Sequence, residues 1–411
     1  MRTMKHLFLL FTLITCSIFA IDDDGSPGLE QRDIEALRDW INTKRQVTVK
    51  ERGGNLSISG EVRAELQSTN EKKNGIKQRG SGGQVKHTAM RAWDVEVNLM
   101  LDYRTDRTWA TIKIEFDNNA GTVGGTFDRL SVERAFLGGR IVNGLTYTMD
   151  LEIGRRSLGY TFDSRIEFGS FMDGVLYKYS QALENVGDLY FNGGPFLVDE
   201  SLDQYAYVGE LGLLNIAKTG LYSKISAVYW DTKHTDKKAR NEAFRFLPIQ
   251  WTLGYKFIPN FLDKIVTVYG AGLYNPRAHG TVVSNGKRKA WAWYAGFSIG
   301  ELRKKWDWSF DINYQWVQMQ AIPDFDGSGI GRGNAAKTGL YSSRTKGEGT
   351  ALAAGQGVGA GNYKGVAVEL LFLLTNNITI YQAWRQSVNE DASILPTFSY
   401  KQYEFEIIYG F

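Results

Sequence analysis

Trp306-Asp307-Trp308-Ser309-Phe310-Asp311-Ile312-Asn313-Tyr314-Gln315-Trp316 alternates apolar and polar residues without a break. Successive side chains of a strand point to opposite faces, so this stretch has one greasy face and one wet face. A soluble sandwich would bury the greasy face, but its strands usually run only ~5–6 residues. About ten residues, tilted ~45°, are what a strand needs to cross a bilayer. The large rings also sit toward the ends of such stretches, where membrane interfaces hold aromatic side chains. The reading is a strand with one face toward lipid.

The same period of two recurs along the chain from Gly54. Leu56, Ile58, Gly60, Val62, Ala64 and Leu66 alternate with Ser57, Ser59, Glu61, Arg63, Glu65 and Gln67, and Trp93, Val95, Val97, Leu99 and Leu101 with Asp94, Glu96, Asn98, Met100 and Asp102. Sixteen segments of this kind are expected, near 54–67, 89–103, 107–117, 127–141, 145–154, 171–180, 186–191, 204–214, 220–230, 243–257, 264–274, 290–299, 306–319, 364–374, 378–388 and 398–411. Their connections alternate in length. Arg104 to Asp106, Val142 to Gly144, Ile258 to Asp263 and Asn376-Asn377 are short, whereas 68–88, 155–170, 231–242, 275–289 and 320–363 are long and polar. Short turns on one side and long loops on the other mark a closed antiparallel transmembrane β-barrel of about sixteen strands over 54–411. No segment after the first twenty residues approaches a membrane-spanning helix in length, which excludes nothing for a barrel.

The ends of the chain add a compartment. Arg2 and Lys5 precede an apolar run from Leu7 to Ile14, and Ala20 stands before Ile21-Asp22-Asp23-Asp24, the pattern of a cleaved signal peptide over 1–20. Cys16 is the only cysteine, so the exported chain must be stabilised by something other than disulfides. Removing Arg2 and Lys5 leaves 46 basic against 45 acidic residues, and no Lys/Arg-rich run suggests nucleic acid. The chain holds 22 Phe, 21 Tyr and 11 Trp with 45 Gly and only 7 Pro, a composition suited to strands apolar on one face. Residues 21–53 stand apart as a periplasmic segment. Ser26-Pro27 starts a short helix expected to about Lys44, with Leu29, Ile34, Leu37 and Ile41 as its stripe.

At the C-terminus Tyr403, Phe405, Ile407, Tyr409 and Phe411 alternate with Glu404, Glu406, Ile408 and Gly410. This ending resembles the terminal signal of bacterial outer-membrane proteins, with Tyr409 and Phe411 as its aromatics. With the leader, the sixteen strands and the alternating loops, the whole exported chain resembles the Gram-negative outer-membrane porin superfamily, of the sixteen-stranded trimeric type, as in the major porin of a Chlamydia-like lineage. The resemblance implies an integral outer-membrane protein, a homotrimer among outer-membrane lipids, delivered by the barrel-assembly machinery. It implies a water-filled channel for passive diffusion of ions and small hydrophilic solutes, without enzyme activity or cofactor. It also implies a third external loop folded into the channel. Glu167-Phe168-Gly169 is similar to part of a motif of that loop, without the proline that precedes it there. The expected constriction is Arg155, Arg156, Asp163, Arg165 and Glu167, which would sort solutes by size and by the field between opposed charges.

The wet faces give the charge of the lumen. Fifteen acidic residues (Glu61, Glu65, Asp94, Glu96, Asp102, Glu115, Glu133, Asp150, Glu152, Glu210, Asp307, Asp311, Glu369, Glu404, Glu406) face six basic ones (Arg63, Lys113, Arg129, Lys224, Lys256, Arg385), a lean toward cations. A substrate-specific channel for sugars or an anion is the alternative, with Trp109, Tyr222 and Trp230 as a stacking track. An outer-membrane barrel hydrolase is a further alternative, in which His234 of Asp231-Thr-Lys-His-Thr-Asp236 would pair with a carboxylate; His87 and His279 also fall in long loops. Asp324, Asp326 and Ser328 resemble the start of a Ca²⁺ loop whose closing Glu is missing, since position 335 is Ala. Arg134 interrupts the apolar face of Leu130, Val132 and Phe136. On a lipid face it would cost ~2–4 kcal/mol, so either the register slips near Gly138-Gly139 or that face meets another protomer.

Overall fold

The computed structural model describes residues 47–51, 54–84, 89–119, 129–200, 204–231, 246–278, 286–323, 326–330, 361–394 and 397–411. Their strands are β1 (Val47–Glu51), β2 (Gly54–Lys73), β3 (Ile76–Lys77), β4 (Arg91–Arg104), β5 (Thr108–Asn119) and β6 (Arg129–Asn143). Then come β7 (Tyr147–Ser157), β8 (Phe171–Leu183), β9 (Gly187–Asp199), β10 (Gln204–Ile216), β11 (Leu221–Asp231) and β12 (Ile249–Phe257). β13 (Val266–Tyr274), β14 (Trp291–Ile299), β15 (Trp308–Val317), β16 (Tyr363–Leu373), β17 (Ile378–Asn389) and β18 (Phe398–Gly410) complete the sheet. β2 and β4 to β18 pair in sequence order, all antiparallel, and β18 returns to β2, so sixteen strands close a barrel. Closure removes every exposed edge, which is what lets a sheet sit in lipid.

All sixteen expected segments are strands. The sheet differs from the expectation mainly at their ends. β9 runs on to Asp199, β12 begins only at Ile249, and β2 continues to Lys73, where β3 folds back on it. The expected helix of 21–53 and the expected leader lie outside the described residues, as do His87, His234 and His279. Within that N-terminal segment, however, Val47–Glu51 is a strand paired with Gly54–Ile58 of β2. It occupies the edge of β2 just beyond the point where β18 stops. At that point the backbones of Phe411 and Gly60 exchange two hydrogen bonds, 2.9 and 3.0 Å. A Cβ on Gly60 would lie 2.6 Å from the Phe411 ring, so the closing seam is packed around a missing side chain.

The alternation sorts the faces as read. Trp93, Trp251, Tyr255, Trp291, Trp293, Trp306, Tyr403, Ile407, Tyr409 and Phe411 are exposed on the outside, while Glu61, Asn98, Glu152, Glu210, Gln250, Asp311 and Asn313 are buried inside.

Arg134 requires a correction. Lys113 pairs with Arg134 but Ile114 pairs with Val132, so β6 carries one extra residue at Glu133. Such a bulge reverses the facing of the residues beyond it. Leu130, Val132, Leu137 and Ile141 are exposed outside. Arg134 lies over the Tyr160 ring at 3.6 Å, and Arg156 over the Phe136 ring at 4.5 Å. The bulge therefore turns both Arg134 and Phe136 into the lumen. The slip lies five residues before Gly138-Gly139, and Arg134 puts no charge on the lipid face.

Candidate functional site

The loop after β7 does not stand out into solvent. Residues 158–170 leave the wall at Ser157, form one 3-10 turn over Leu158–Tyr160 and cross to the opposite strands. Leu158, Phe162, Ile166 and Phe168 drive this, since all four are buried at 0–1% exposure. Leu158, Phe162 and Phe168 pack with Met172, Leu176, Phe196, Val208, Val228 and Trp230 from the wall of β8 to β11. Ile166 packs with Tyr269, Leu273, Tyr294, Val317 and Tyr363 from β13 to β16. Burying four large side chains contributes about 1.5–3 kcal/mol each, enough to hold a loop that would otherwise be solvated.

Polar contacts place it. The Asp163 N–H donates to the Glu210 carboxylate on β10 (2.8 Å), and its own carboxylate accepts from Lys224 on β11 (3.2 Å). Gln250 on β12 donates to the Asp163 carbonyl at 2.6 Å and accepts from Ser164 Oγ at 2.8 Å. Arg165 reaches furthest, to Asp311 on β15 at 2.8 Å, with its guanidinium over the Tyr269 ring at 4.8 Å. The Tyr269 hydroxyl donates to the same carboxylate (2.7 Å). Burial works against the charge on Arg165, and Asp311 more than offsets it, so its pKa is raised.

A second segment folds inward with it. After β15 residues 318–323 and 326–330 lie inward, where Ala321, Ile322 and Ile330 join the Ile166 cluster. Asp326 is fully buried, and its carboxylate accepts from the Phe168 N–H (3.2 Å) and the Ser170 hydroxyl (2.7 Å). Ser328 donates through its N–H to the Ile166 carbonyl (3.0 Å) and through its hydroxyl to the Glu167 carbonyl (2.7 Å). Asp326 and Ser328 of the expected Ca²⁺ loop thus hold the 158–170 loop, and Asp324 lies outside the described residues. Among the described residues no three His, Cys, Asp or Glu side chains converge as a metal site.

Of the expected constriction residues, Arg156, Asp163, Arg165 and Glu167 are each buried inside the barrel, at most 8% exposed. Arg155 does not. It pairs across β7 and β8 with Asp173, between the outward Ile153 and Phe171, and its carboxylate partner is 3.3 Å away and itself more than half exposed. Alternation explains this: Arg155 and Arg156 are neighbours in a strand and must face opposite ways. Arg156 donates to Glu152 at 2.6 Å, and Glu152 also accepts from Lys178 and the Trp109 indole, both at 2.9 Å.

The far wall is different. From β17 through β18, β2 and β4 to β5 no apolar cluster of the described residues seats the loop, and charges line the face. Arg385 bonds Glu404 at 2.6 Å and approaches Glu369 at 3.5 Å. Arg63 pairs with Glu61 and lies 3.5 Å from Glu96. Lys113 bonds Glu133 at 2.6 Å, close to Glu115. Arg129 pairs with Asp117 through the backbone, and its side chain lies outside the described residues. Of the expected stacking track, Trp230 is packed under the loop, Tyr222 is buried beneath Lys224 and Lys256, and the Trp109 indole is held by Glu152.

No family description and no curated protein sequence matches the chain. Among solved structures it is similar to OprB of Pseudomonas putida at high pH, with 9% identity, a TM-score of 0.52, and 87% of this chain and 94% of that one covered. It is also similar to OmpF of Salmonella typhi in complex with daunomycin, with 11% identity, a TM-score of 0.51, and coverage of 89% and 100%. At these identities the likeness shows a shared fold, the closed sixteen-stranded antiparallel barrel.

Proposed function

We propose, from this shared barrel fold, that the chain is an outer-membrane porin: a water-filled channel for passive diffusion of ions and small hydrophilic solutes, narrowed by the 158–170 loop. One observation carries the reading. The loop crosses the lumen and is bonded to β10, β11, β12 and β15, which leaves the charged wall from β17 to β5 as the side of the aqueous path. Sixteen strands enclose more space than wall side chains fill, so a loop is needed to set the width. The signal segment, the Phe411 assembly signal and passage through the periplasm belong to the same reading.

The charge of the path leans toward cations. Arg63 and Arg385 are outnumbered by Glu61, Glu96, Glu369 and Glu404 within their own ion-pair groups. Arg156 and Arg165, which the sequence offered as constriction cations, are each already matched by a carboxylate.

Assembly as a trimer is supported by the outer surface. Between β5 and β7 it exposes Ile112, Leu130, Val132, Leu137, Ile141, Leu145 and Ile153, with Tyr147 as its aromatic. From β12 to β15 it exposes Trp251, Tyr255, Trp291, Trp293 and Phe297. Interface rings belong where a barrel meets lipid headgroups, and a sector poorer in them than β12 to β15 suits a second copy. Single-channel conductance with reversal potentials in salt gradients tests the function. Ohmic, non-saturating conductance with cation preference is expected, and saturation by one solute would overturn it in favour of a specific channel.

A further inference from the structure

Glu167 and Asp326 lie where the two inward segments touch, Asp326 accepting from the Phe168 N–H and Ser328 donating to the Glu167 carbonyl. Glu167 is 1% exposed and Asp326 is 0%. One Glu167 carboxylate oxygen, Oε1, is buried with no hydrogen-bond partner. The contact is tight: a Cβ on Gly169 would lie 2.6 Å from the Gly327 carbonyl oxygen. Phe168, between them, is held at φ 69°, a left-handed conformation unusual for its type. That strain persists because its N–H is bonded to Asp326 and its ring packs on Phe162 at 5.2 Å.

The charges on the surrounding elements are committed elsewhere. On the loop itself Asp163 holds Lys224, and Arg165 holds Asp311 of β15 with Tyr269 of β13. On β10 Glu210 takes the Asp163 N–H and the Tyr190 hydroxyl. On β16 and β17 Glu369 and Arg385 face each other. The charge felt by Glu167 is that of Asp326. Two carboxyl groups thus share a buried site with no cation among these neighbours, and two carboxylates so placed repel.

We infer that Glu167 and Asp326 form a proton-dependent latch between the 158–170 loop and the 318–330 segment, closed when the pair is protonated and weakened when it ionises. The inference rests on the constriction reading only for its effect on conduction. Burial pushes Asp326 up to about 7 and raises Glu167 well above the usual carboxylate range, Asp326 adding to the rise. A released loop would return both to ordinary values near 4. A pKa raised in the docked state favours docking fully below the ordinary value and progressively less as pH rises toward the raised one. The docked state therefore loses ground between about pH 4 and pH 7 through Asp326, and further above that through Glu167. Each proton shifts the balance by at most about tenfold per pH unit.

The test is an Ile166→Cys probe in a Cys16→Ser background of the full chain, in detergent and in liposomes. Ile166 is 1% exposed in the docked loop, so a thiol reagent reaches it only after release. Labelling rates are taken at pH 5, 6, 7 and 8.5 with and without Glu167→Gln, whose ratio cancels the thiol's own ionisation. The expected ratio rises at least tenfold from pH 5 to pH 8.5. Asp326→Asn should flatten the profile at a low rate, and Asp326→Ala should give fast labelling at every pH. A ratio independent of pH overturns the latch, whatever conductance does. A rising ratio with unchanged conductance keeps the latch and defeats the constriction reading instead.

Discussion

The two halves of the lumen wall use the same residue types in opposite ways. From β8 to β16 the charges that meet the loop are dry and paired, as in Asp311 with Arg165 at 1% and 7% side-chain exposure. From β17 to β5 some stay wetter, as in Arg385 at 22% and Glu96 at 22%, beside others as dry as Glu61 at 4% and Lys113 at 8%. The first half spends its charges on holding a loop, and in the proposed channel the second would face the aqueous path. A dry ion pair is costly to break because the partner left behind is buried and unpaired, whereas a wet one is screened by salt. The difference shows that a tally of inward charges does not measure selectivity. Which charges the loop has already claimed matters more.

The largest expected effect comes from unpinning the loop in the dry half. Arg165→Ala leaves Asp311 buried with only the neutral Tyr269 hydroxyl and Asn313 amide, and Asp311→Asn removes the charge that keeps Arg165 in place. Each should lower stability by about 3–5 kcal/mol and raise single-channel conductance with broader current noise. The double variant should be no worse than either single one, because both break the same contact. Additive losses by thermal unfolding and by conductance would mean that the two residues do not act as a pair.

Charge removal on the wet half should act on selectivity and leave conductance noise alone. Glu96→Gln with Glu404→Gln strips one partner each from Arg63 and Arg385, tipping the wall toward anions. Charges ~4 Å from a passing ion in water interact by ~1 kcal/mol, so the cation-to-anion permeability ratio should fall roughly two- to fivefold. An unchanged reversal potential would place the path along some other wall. The same contrast predicts the response to salt. Raising ionic strength from ~0.1 to ~1 M shortens the screening length from ~10 to ~3 Å. Wild-type cation preference should therefore shrink with salt, while the Ile166→Cys labelling rate at fixed pH stays within about twofold.

Much of this was legible in the residue pattern, for a physical reason. A transmembrane strand must alternate over its whole length, so all sixteen strands and the wet-face residues Glu210, Lys224 and Asp311 could be read from period two. The bulge at Glu133 showed only as one of two readings of Arg134, and its place could not be read, because one extra residue leaves both flanking runs with a proper alternation. Nor could the pairing of Arg165 with Asp311, 146 residues away. Asp326 was visible as an oxygen donor near a glycine, but the pattern of a cation loop and of a loop clamp is the same until the second loop is in place. The strand at Val47–Glu51 was missed because five residues beside a charged segment carry too little periodicity.

The smallest expected effect sharpens the comparison most, since it sits one residue from a large one. Arg155 and Arg156 are adjacent, equally charged and at the root of the same loop. Arg155 faces outward against an exposed Asp173, and Arg156 faces inward against Glu152, itself nearly dry. Exposed ion pairs contribute about 0–1 kcal/mol, so Arg155→Ala should leave selectivity, conductance and unfolding temperature nearly unchanged. Arg156→Ala removes one of two cations from Glu152, with Lys178 and the Trp109 indole remaining. It should push permeability toward cations by up to about threefold, given the ~1 kcal/mol scale of such interactions. Reversal potentials of the two variants, measured side by side, decide the point. Equal shifts would mean that β7 does not alternate at its end as described, and Arg155 would then belong to the lumen after all.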